Sequence, residues 1–224
     1  MANINKVHVA YLVPSDRLPT GPENQAAMET SIKILRQWYY TRMGNGKTFT
    51  LTDPIVEVIF SSHPAEWFGL NPHPPDAEHF WFRANAREDM IAHVGAAFTD
   101  PHNDWLVFLD ADPRVVDGEQ QIAGGNPGFA LEWSKSIAAI TGNDPDWSQC
   151  RGFGGNGHEL GHSFDIHHPP GPPNPEWSTA IMGVGYQIFG TCILTVADKV
   201  TLNASPFFAV EKLGTLPPAL CPFV

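Results

Sequence analysis

The sequence predicts an α+β fold, in which a mixed, twisted sheet with two or three helices forms an α/β-like upper layer above a loop-rich C-terminal part. Three observations predict it. Strand and helix patterns follow one another in the N-terminal half, a long helix is indicated from 148 to 164, and the chain beyond it is rich in proline. At 224 residues the chain is long enough for one well-buried domain, or one domain split by a cleft.

The N-terminal elements are predicted as strand, helix, strand. Residues 7–13 are β-branched and apolar and end at a proline, which indicates a buried strand. Thr20 and Glu23 have the spacing of a capping box, and apolar residues follow them at helical spacing until about residue 43. Residues 49–60 contain strand-forming residues interrupted by a proline, so a second strand is expected there.

The middle of the chain predicts a helix, a buried strand and one ambiguous segment. An amphipathic helix is expected from about Asp76, and residues 105–109 are an apolar run of strand length. Residues 129–141 fit either a two-stranded hairpin or one helix over 131–141 closed by Gly142. In the hairpin alternative, the strand after it forms the upper rim of a cleft, to which an extended peptide would pair by main-chain hydrogen bonds.

Two further helices are predicted in the last third of the chain. The helix 148–164 contains four glycines in its first half, and each weakens a helix by up to about 1 kcal/mol relative to alanine. Glycines at such positions often permit close backbone packing. Ser205 followed by a proline indicates the start of a final helix, which Gly214 would end.

The chemistry lies in the helix 148–164, which contains His158-Glu159-Leu160-Gly161-His162. Histidines four residues apart lie on one helix face with Cβ atoms about 5–6 Å apart. Both Nε2 atoms can therefore converge on one Zn²⁺ at about 2.0–2.1 Å. Glu159 projects beside the metal, where its carboxylate can accept a proton from a metal-bound water.

A third histidine, His168, can reach the same ion only if the helix ends. On a continuous helix it would lie about 15 Å from His158 along the axis. Asp165 tolerates a left-handed conformation, and the proline-rich run 169–173 forbids further helix. His167 competes with His168 as third ligand. These residues predict a three-histidine zinc site with an open coordination position.

The histidines with Glu159 resemble the motif HExxHxxGxxH of the metzincin clan of zinc peptidases, and Met182 resembles the methionine of its Met-turn. The clan's turn glycine is replaced by Asp165. Tyr186 lies four residues after Met182, whereas the clan's tyrosine usually follows by two, and Val184 holds that place. The resemblance implies that Met182 forms an apolar floor under the metal; the alternative is that it is an ordinary core residue. It implies Tyr186 as a candidate catalytic hydrogen-bond donor, with a pocket-wall aromatic as the alternative.

The resemblance also implies the fold family, the domain organisation and the function. It implies a zincin-like, metzincin-like fold with an upper subdomain, 1–168, and a lower subdomain, 169–224, that contains the Met-turn and the final helix. The implied function is a zinc-dependent endopeptidase that hydrolyses peptide bonds with a metal-bound water, with Glu159 as general base and then acid. The alternatives are a catalytically silent zincin-like binding domain and a zinc hydrolase acting on a non-peptide amide or ester.

The composition argues against several classes of partner. The net charge of −11 comes from 13 basic and 24 acidic residues without a basic cluster, which argues against nucleic acid and anionic membranes. No apolar run reaches the length of a membrane span. We expect a monomer that acts on a peptide or protein. Asp110, Asp112, Asp117 and Glu119 offer oxygen ligands for Ca²⁺ but lack the spacing of a calcium loop, so a solvated acidic loop is favoured.

The cysteines and the N-terminus leave the cellular location open. Cys150, Cys192 and Cys221 are compatible with one disulfide and a free thiol, or with three thiols. Residues 1–6 show no signal-peptide pattern and no latency propeptide precedes the domain, so we expect either a cytoplasmic protein or a secreted mature segment.

Overall fold

The structure, a computed structural model, describes residues 5–18, 21–213 and 221. Its strands lie mostly in one central sheet. They are β1 (Lys6–Val13), β2 (Lys47–Phe49), β3 (Leu51–Phe60), β4 (Asn103–Leu109), β5 (Val115–Val116), β6 (Glu119–Gln120), β7 (Gly124–Asn126), β8 (Phe129–Glu132) and β9 (Phe208–Val210).

The helices include three long ones and several of one or two turns. They are α1 (Pro22–Met43), α2 (Trp67–Leu70), α3 (Trp81–Val94), α4 (Ala96–Thr99), α5 (Ser134–Thr141), α6 (Gln149–Ser163), α7 (Pro175–Thr179) and α8 (Val196–Ala204). Short 3₁₀ turns precede α3 and follow α7. Among the described residues, no helix is both long and apolar enough to cross a membrane.

The central sheet has the order β3-β1-β4-β8-β7. The first four of these strands are parallel, and β7 pairs antiparallel with β8 at one edge. Alternate residues of β1 face opposite sides: Val9 and Tyr11 belong to the core beneath α1 and α6, whereas Ala10 and Leu12 belong to the core beneath α3. Both faces of the parallel strands are covered, so β1 and β4 are almost entirely buried.

The predicted N-terminal strands and helices are present, but the capping box is wrong as a helix start. Gly21 occupies the N-cap position of α1 without a side-chain hydrogen bond, and Pro22 is the first helical residue. Thr20 lies outside the described residues. Proline suits this position because the first N–H groups of a helix have no intrahelical partner.

The ambiguous segment 129–141 divides between the two alternatives. Its first part is β8 and its second part is α5, which ends at Gly142 in the left-handed conformation (φ 79°). The hairpin consists of β7 and β8, so the exposed edge precedes β8 and does not follow it. The rim strand expected after that hairpin is therefore wrong, because the chain beyond β8 folds as α5 and then α6.

The final helix predicted from Ser205 is also wrong. A helix does occur in this part of the chain, but it is α8, which ends at Ala204 and begins at a capping box formed by Thr195 and Asp198. Beyond it, β9 pairs antiparallel with β2. The pairing buries Phe208 against the aromatic cluster of α1 and β2, while its neighbours on the strand stay exposed. Gly214 lies outside the described residues.

Of the two alternatives for the cysteines, the structure has one disulfide and one thiol. Cys150, at the start of α6, is bonded to Cys221 near the C-terminus, and Cys192 is a buried free thiol. Burial raises the pKa of the Cys192 thiol to about 12, so it stays protonated at neutral pH.

Candidate metal centre

Helix α6 positions the first two histidines. The Ser148 side chain accepts a hydrogen bond from the Arg151 N–H at the N-terminus, as an N-cap residue does. His158 and His162 follow one turn apart near the C-terminus, and their ring centroids are 4.8 Å apart. His158 is buried and His162 is partly buried. The helix therefore presents both rings on one face, as the spacing predicts.

The turn after α6 is a Schellman motif with an aspartate in place of the usual glycine. Asp165 has φ 66°, in the left-handed region. The Ile166 N–H donates to the Gly161 carbonyl at 3.0 Å and the Asp165 N–H donates to the His162 carbonyl at 3.0 Å, which are the two hydrogen bonds of this motif. The chain therefore reverses within one residue of the helix end, which allows His168 to approach the helix.

The three histidines meet at their Nε2 atoms. The Nε2 atom of His168 lies 3.1 Å from that of His158 and 2.9 Å from that of His162. Backbone carbonyls fix the other ring nitrogens: His158 Nδ1 donates to Ile181 at 2.7 Å and His162 Nδ1 donates to Ile166 at 2.9 Å. A carbonyl can only accept, so in both neutral rings Nε2 carries the lone pair.

These donor atoms fit Zn²⁺. Converging lone pairs repel one another unless a cation lies between them, and three imidazoles with an open fourth position are a known catalytic zinc set. Two nitrogens on a tetrahedral Zn²⁺ should lie about 3.3 Å apart, close to the observed contacts. Burial lowers the pKa of His158 to about 4 and also lowers the pKa of His162, so both rings stay in the neutral form that binds metal. His168 is exposed, so the site opens to solvent on its side.

Glu159 lies between this cluster and the edge strand β7. Its Oε2 accepts a hydrogen bond from the Gly125 N–H at 2.7 Å. A Cβ at Gly125 would lie 2.3 Å from the Glu159 carbonyl oxygen and 2.6 Å from His162 Cβ, so only glycine permits β7 to lie this close to α6. Burial raises the pKa of Glu159, against the opposing effects of His162, the Gly125 N–H, His168 and Arg83.

The segment around residue 182 supports the cluster from below. Ile181 supplies the carbonyl that accepts from His158, and its own N–H donates to Ile193 at 2.9 Å. Met182 is fully buried, with its sulfur packed against Gly161 of α6. Tyr186 is partly buried and its ring lies 5.2 Å from that of His158. Met182 thus packs against α6 at the residue before His162, and Tyr186 lies beside His158; the roles of both residues remain predictions.

A cavity of about 230 Å³ adjoins Glu159 and His158 on the side of Tyr186. Trp133, Trp147 and Arg151 contribute to its wall. Glu132, at the end of β8, also lines it and is almost completely buried. Burial raises the pKa of Glu132 to about 8, helped by the nearby Glu159 carboxylate and opposed by a hydrogen bond from Ser136, so this carboxyl is mostly protonated at neutral pH.

Other candidates lie away from the cluster. His167 is 83% exposed, and its nearest described charged partner is Asp165 at 3.7 Å. Asp110 accepts a hydrogen bond from Tyr11 at 2.8 Å, and Asp112 accepts one from Ser134. Sequence reasoning missed the role of Gly125 and of Glu132. The glycine-rich run 124–128 is a signal for close backbone approach, but Glu132 had no signal because its burial depends on α6.

The fold has counterparts among solved structures. No protein-family model matches the chain, and no curated protein matches it in sequence. Wild-type OgpA from Akkermansia muciniphila aligns with a TM-score of 0.63 and 19% identity over 93% of this chain and 62% of that chain. Catalytically inactive OgpA in complex with an O-glycopeptide substrate aligns with a TM-score of 0.61 and 17% identity over 92% of this chain and 62% of that chain. Archaemetzincin from Methanopyrus kandleri gives a TM-score of 0.47 at 14% identity over 88% and 93% of the two chains, too low to support an argument.

The similarity to OgpA concerns the fold. The mixed α+β fold class predicted from the sequence is confirmed, with a mostly parallel sheet and helices on both faces, and this fold is shared with OgpA. The chain spans 62% of the length of OgpA.

Proposed function

We propose that this chain is a zinc-dependent endopeptidase. The observation that carries the proposal is the convergence of three imidazole Nε2 atoms within 4.8 Å of one another, with the Glu159 carboxylate beside them. His158, His162 and His168 would hold the metal. The tautomers of His158 and His162 are fixed by backbone carbonyls, so these two rings need no reorientation before they bind a metal.

The protein residues would divide the remaining work. Bound Zn²⁺ supplies a Lewis acid that polarises a carbonyl and lowers the pKa of a water toward about 7. Glu159 would accept a proton at its carboxylate and return it to the leaving amine. Burial raises the pKa of this carboxyl, which favours its holding the proton that it later gives to the amine. Gly125 would keep the carboxylate oriented through its hydrogen bond to Oε2.

The edge of the sheet supplies a place for the substrate backbone. β7 is the last strand of the central sheet and passes directly over Glu159. An extended peptide added antiparallel to β7 would pair by main-chain hydrogen bonds and bring a peptide bond to the metal centre. The cavity beside Glu159 would accept the side chain that follows the cleaved bond. Its two tryptophans and polar groups suit a polar or glycosylated residue, so an O-glycopeptide belongs among the substrates to test.

Replacing Glu159 by glutamine tests the proposal. The variant should retain one Zn²⁺ per chain and lose peptide hydrolysis by about 10²–10⁴-fold, the usual contribution of general acid–base catalysis. Zinc would be measured by plasma mass spectrometry, and hydrolysis by digestion of casein, an O-glycopeptide and a quenched-fluorescent peptide library. Glu66→Gln, which removes an exposed carboxylate elsewhere, is the matched control.

The outcomes separate the three classes of function. Full activity of Glu159→Gln would contradict the assigned role of this carboxylate. Zinc binding by the wild-type protein without hydrolysis of any substrate would favour the silent binding domain. Hydrolysis of small esters or non-peptide amides with every peptide left intact would favour the non-peptide hydrolase.

A further inference from the structure

Two arginines on α3 face the same side of the cleft as the edge strand. Arg83 and Arg87 are four residues apart, so they share one face of the helix about 6 Å apart along the axis. Both line a cavity of about 310 Å³ together with Asn126 of β7. In a chain with net charge −11 and 13 basic residues, two of them at one cavity beside the metal centre form a local exception to the acidic surface.

Arg83 is connected to the candidate active site through β7. Its Nη1 donates to Asn126 Oδ1 at 3.2 Å, and the neighbouring Gly125 N–H donates to Glu159 at 2.7 Å. Arg83 also lies close enough to Glu159 for the Arg83 charge to lower the pKa of that carboxyl. The guanidinium packs over the Phe80 ring at 5.7 Å, which restricts its motion. Burial lowers the pKa of Arg83, although an arginine remains charged at any working pH.

The arginines of this cavity form no ion pair with a carboxylate of the described residues. Within the part of the chain that the structure describes, no carboxylate lies within the ion-pair distance of 4.0 Å of either Arg83 or Arg87. Asp76 is the acidic residue in the lining, and its Oδ2 lies 3.1 Å from His73. Arg87 is exposed and also borders a second cavity next to Asp100 and Asp165. Among the described residues, neither guanidinium is therefore neutralised by a direct ion pair, although the charges of Glu159 and Asp76 both act on Arg83.

The direction of β7 decides which part of a substrate meets these arginines. In an antiparallel pair, residues toward the C-terminal end of one strand face residues toward the N-terminal end of the other. Asn126 follows Gly125, and Gly125 lies at Glu159. A substrate antiparallel to β7 would thus place the residues before its cleaved bond beside Asn126 and Arg83. At about 3.3 Å per residue, the first three such residues are within reach.

We propose that Arg83 and Arg87 form a subsite for a substrate carboxylate located one to three residues before the cleaved bond. The planar fork of a guanidinium matches a carboxylate, and a second arginine adds charge attraction. The carboxylate comes either from an acidic side chain or from an acidic sugar on a glycopeptide. The inference rests on the proposed endopeptidase function for its position in the substrate.

The test compares matched peptides with Glu, Gln or Lys at each of the three positions. For the wild-type protein, kcat/KM for Glu should exceed that for Gln by about tenfold at one position, equivalent to about 1.4 kcal/mol. The preference should vanish in the double variant Arg83→Met/Arg87→Met, and Arg87→Glu should favour Lys. Arg83→Lys should restore part of the preference. The Glu-to-Gln ratio removes any general effect of Arg83 on Glu159, because that effect applies to both peptides.

Binding provides a readout that does not need hydrolysis. Fluorescence anisotropy of labelled Glu and Gln peptides on zinc-loaded Glu159→Gln should show the same ratio, and the ratio should fall as salt increases. Lys33→Met is the matched control, since it removes one cation from α1 on the opposite face of the sheet. A sialylated and an asialo O-glycopeptide distinguish the acidic sugar from the acidic side chain.

Three outcomes separate the two proposals. The arginine subsite is overturned if the preference for Glu survives in the double variant. It is also overturned if kcat/KM differs by less than about twofold between the Glu and Gln peptides and between the sialylated and asialo glycopeptides. In both cases, cleavage of the Gln peptide still supports the endopeptidase. Absence of any cleavage contradicts the endopeptidase. In that case the anisotropy ratio alone decides whether the arginines bind a carboxylate.

Discussion

Replacing Gly154 by alanine should destabilise the protein, whereas the same change at the next residue should stabilise it. Both glycines lie inside α6, about one turn before His158 and two turns before His162. A Cβ at Gly154 would lie 1.9 Å from the Tyr186 carbonyl oxygen, 2.8 Å from the Tyr186 carbonyl carbon and 3.1 Å from Phe189 Cβ. A Cβ at Gly155 would meet no atom within 4 Å. The two positions therefore differ in packing and share the same helical backbone.

The magnitudes follow from two opposing effects. Alanine gains up to about 1 kcal/mol over glycine inside a helix, and Gly155→Ala should show this gain. Gly154→Ala has the same gain, but its Cβ would collide with a backbone carbonyl. This carbonyl must move by more than about 1 Å to reach van der Waals distance. The cost therefore lies at the upper end of the range of about 1–3 kcal/mol for overpacking. We expect Gly154→Ala to be about 2 kcal/mol less stable than wild type and about 3 kcal/mol less stable than Gly155→Ala.

Urea unfolding of the wild type and both variants measures these differences. The experiment requires a chelator, and a repeat with zinc, because a bound ligand adds its own stabilisation to the folded state. The reasoning would be refuted if Gly154→Ala were as stable as Gly155→Ala. A shift in the midpoint without a change in slope identifies a change in stability alone.

Two further predictions concern the metal ligands and a buried carboxyl. His168→Ala should weaken zinc binding by more than about 100-fold, since even residues that only contact the ligands of a metal site contribute about 10–100-fold. His167→Ala should leave zinc binding unchanged. Competition with a chromophoric chelator measures both affinities, and the reverse order would reassign the third ligand. Glu132 has a folded pKa of about 8 against an ordinary value of 4.5, so its contribution to stability is complete below pH 4.5 and is lost as the pH rises through 8. Glu132→Gln should remove this dependence of the unfolding free energy on pH. The variant should be more stable than wild type at pH 9 by at most about 5 kcal/mol, at about 1.4 kcal/mol per pKa unit. Parallel curves of unfolding free energy between pH 5 and pH 9 would contradict the assignment.

Local patterns were enough to predict the main elements. The apolar runs of β1 and β4, the periodicity of α1 and the His-Glu-x-x-His spacing in α6 each depend on residues close in the sequence. The break after α6 was predictable for the same reason, because Asp165 and the prolines that follow it restrict their own backbone. The fold class predicted from these elements is confirmed, while the roles of individual site residues remain predictions.

Other features depended on residues distant in the sequence. The segment after Ser205 has a helix-start signal, yet it pairs with β2 because Phe208 completes an aromatic cluster with Phe49 and Tyr39. Propensity was overridden there by long-range packing.

The sequence by itself therefore determined the candidate ligands and the helix that carries two of them, since helical geometry converts spacing into direction. Only the tertiary structure decided what surrounds them. The approach of Gly125 to Glu159, the burial of Glu132 and the placement of Arg83 and Arg87 beside the edge strand all require α3, β7 and α6 to meet at one edge of the sheet. That meeting depends on packing across both faces of the sheet, which no local pattern encodes.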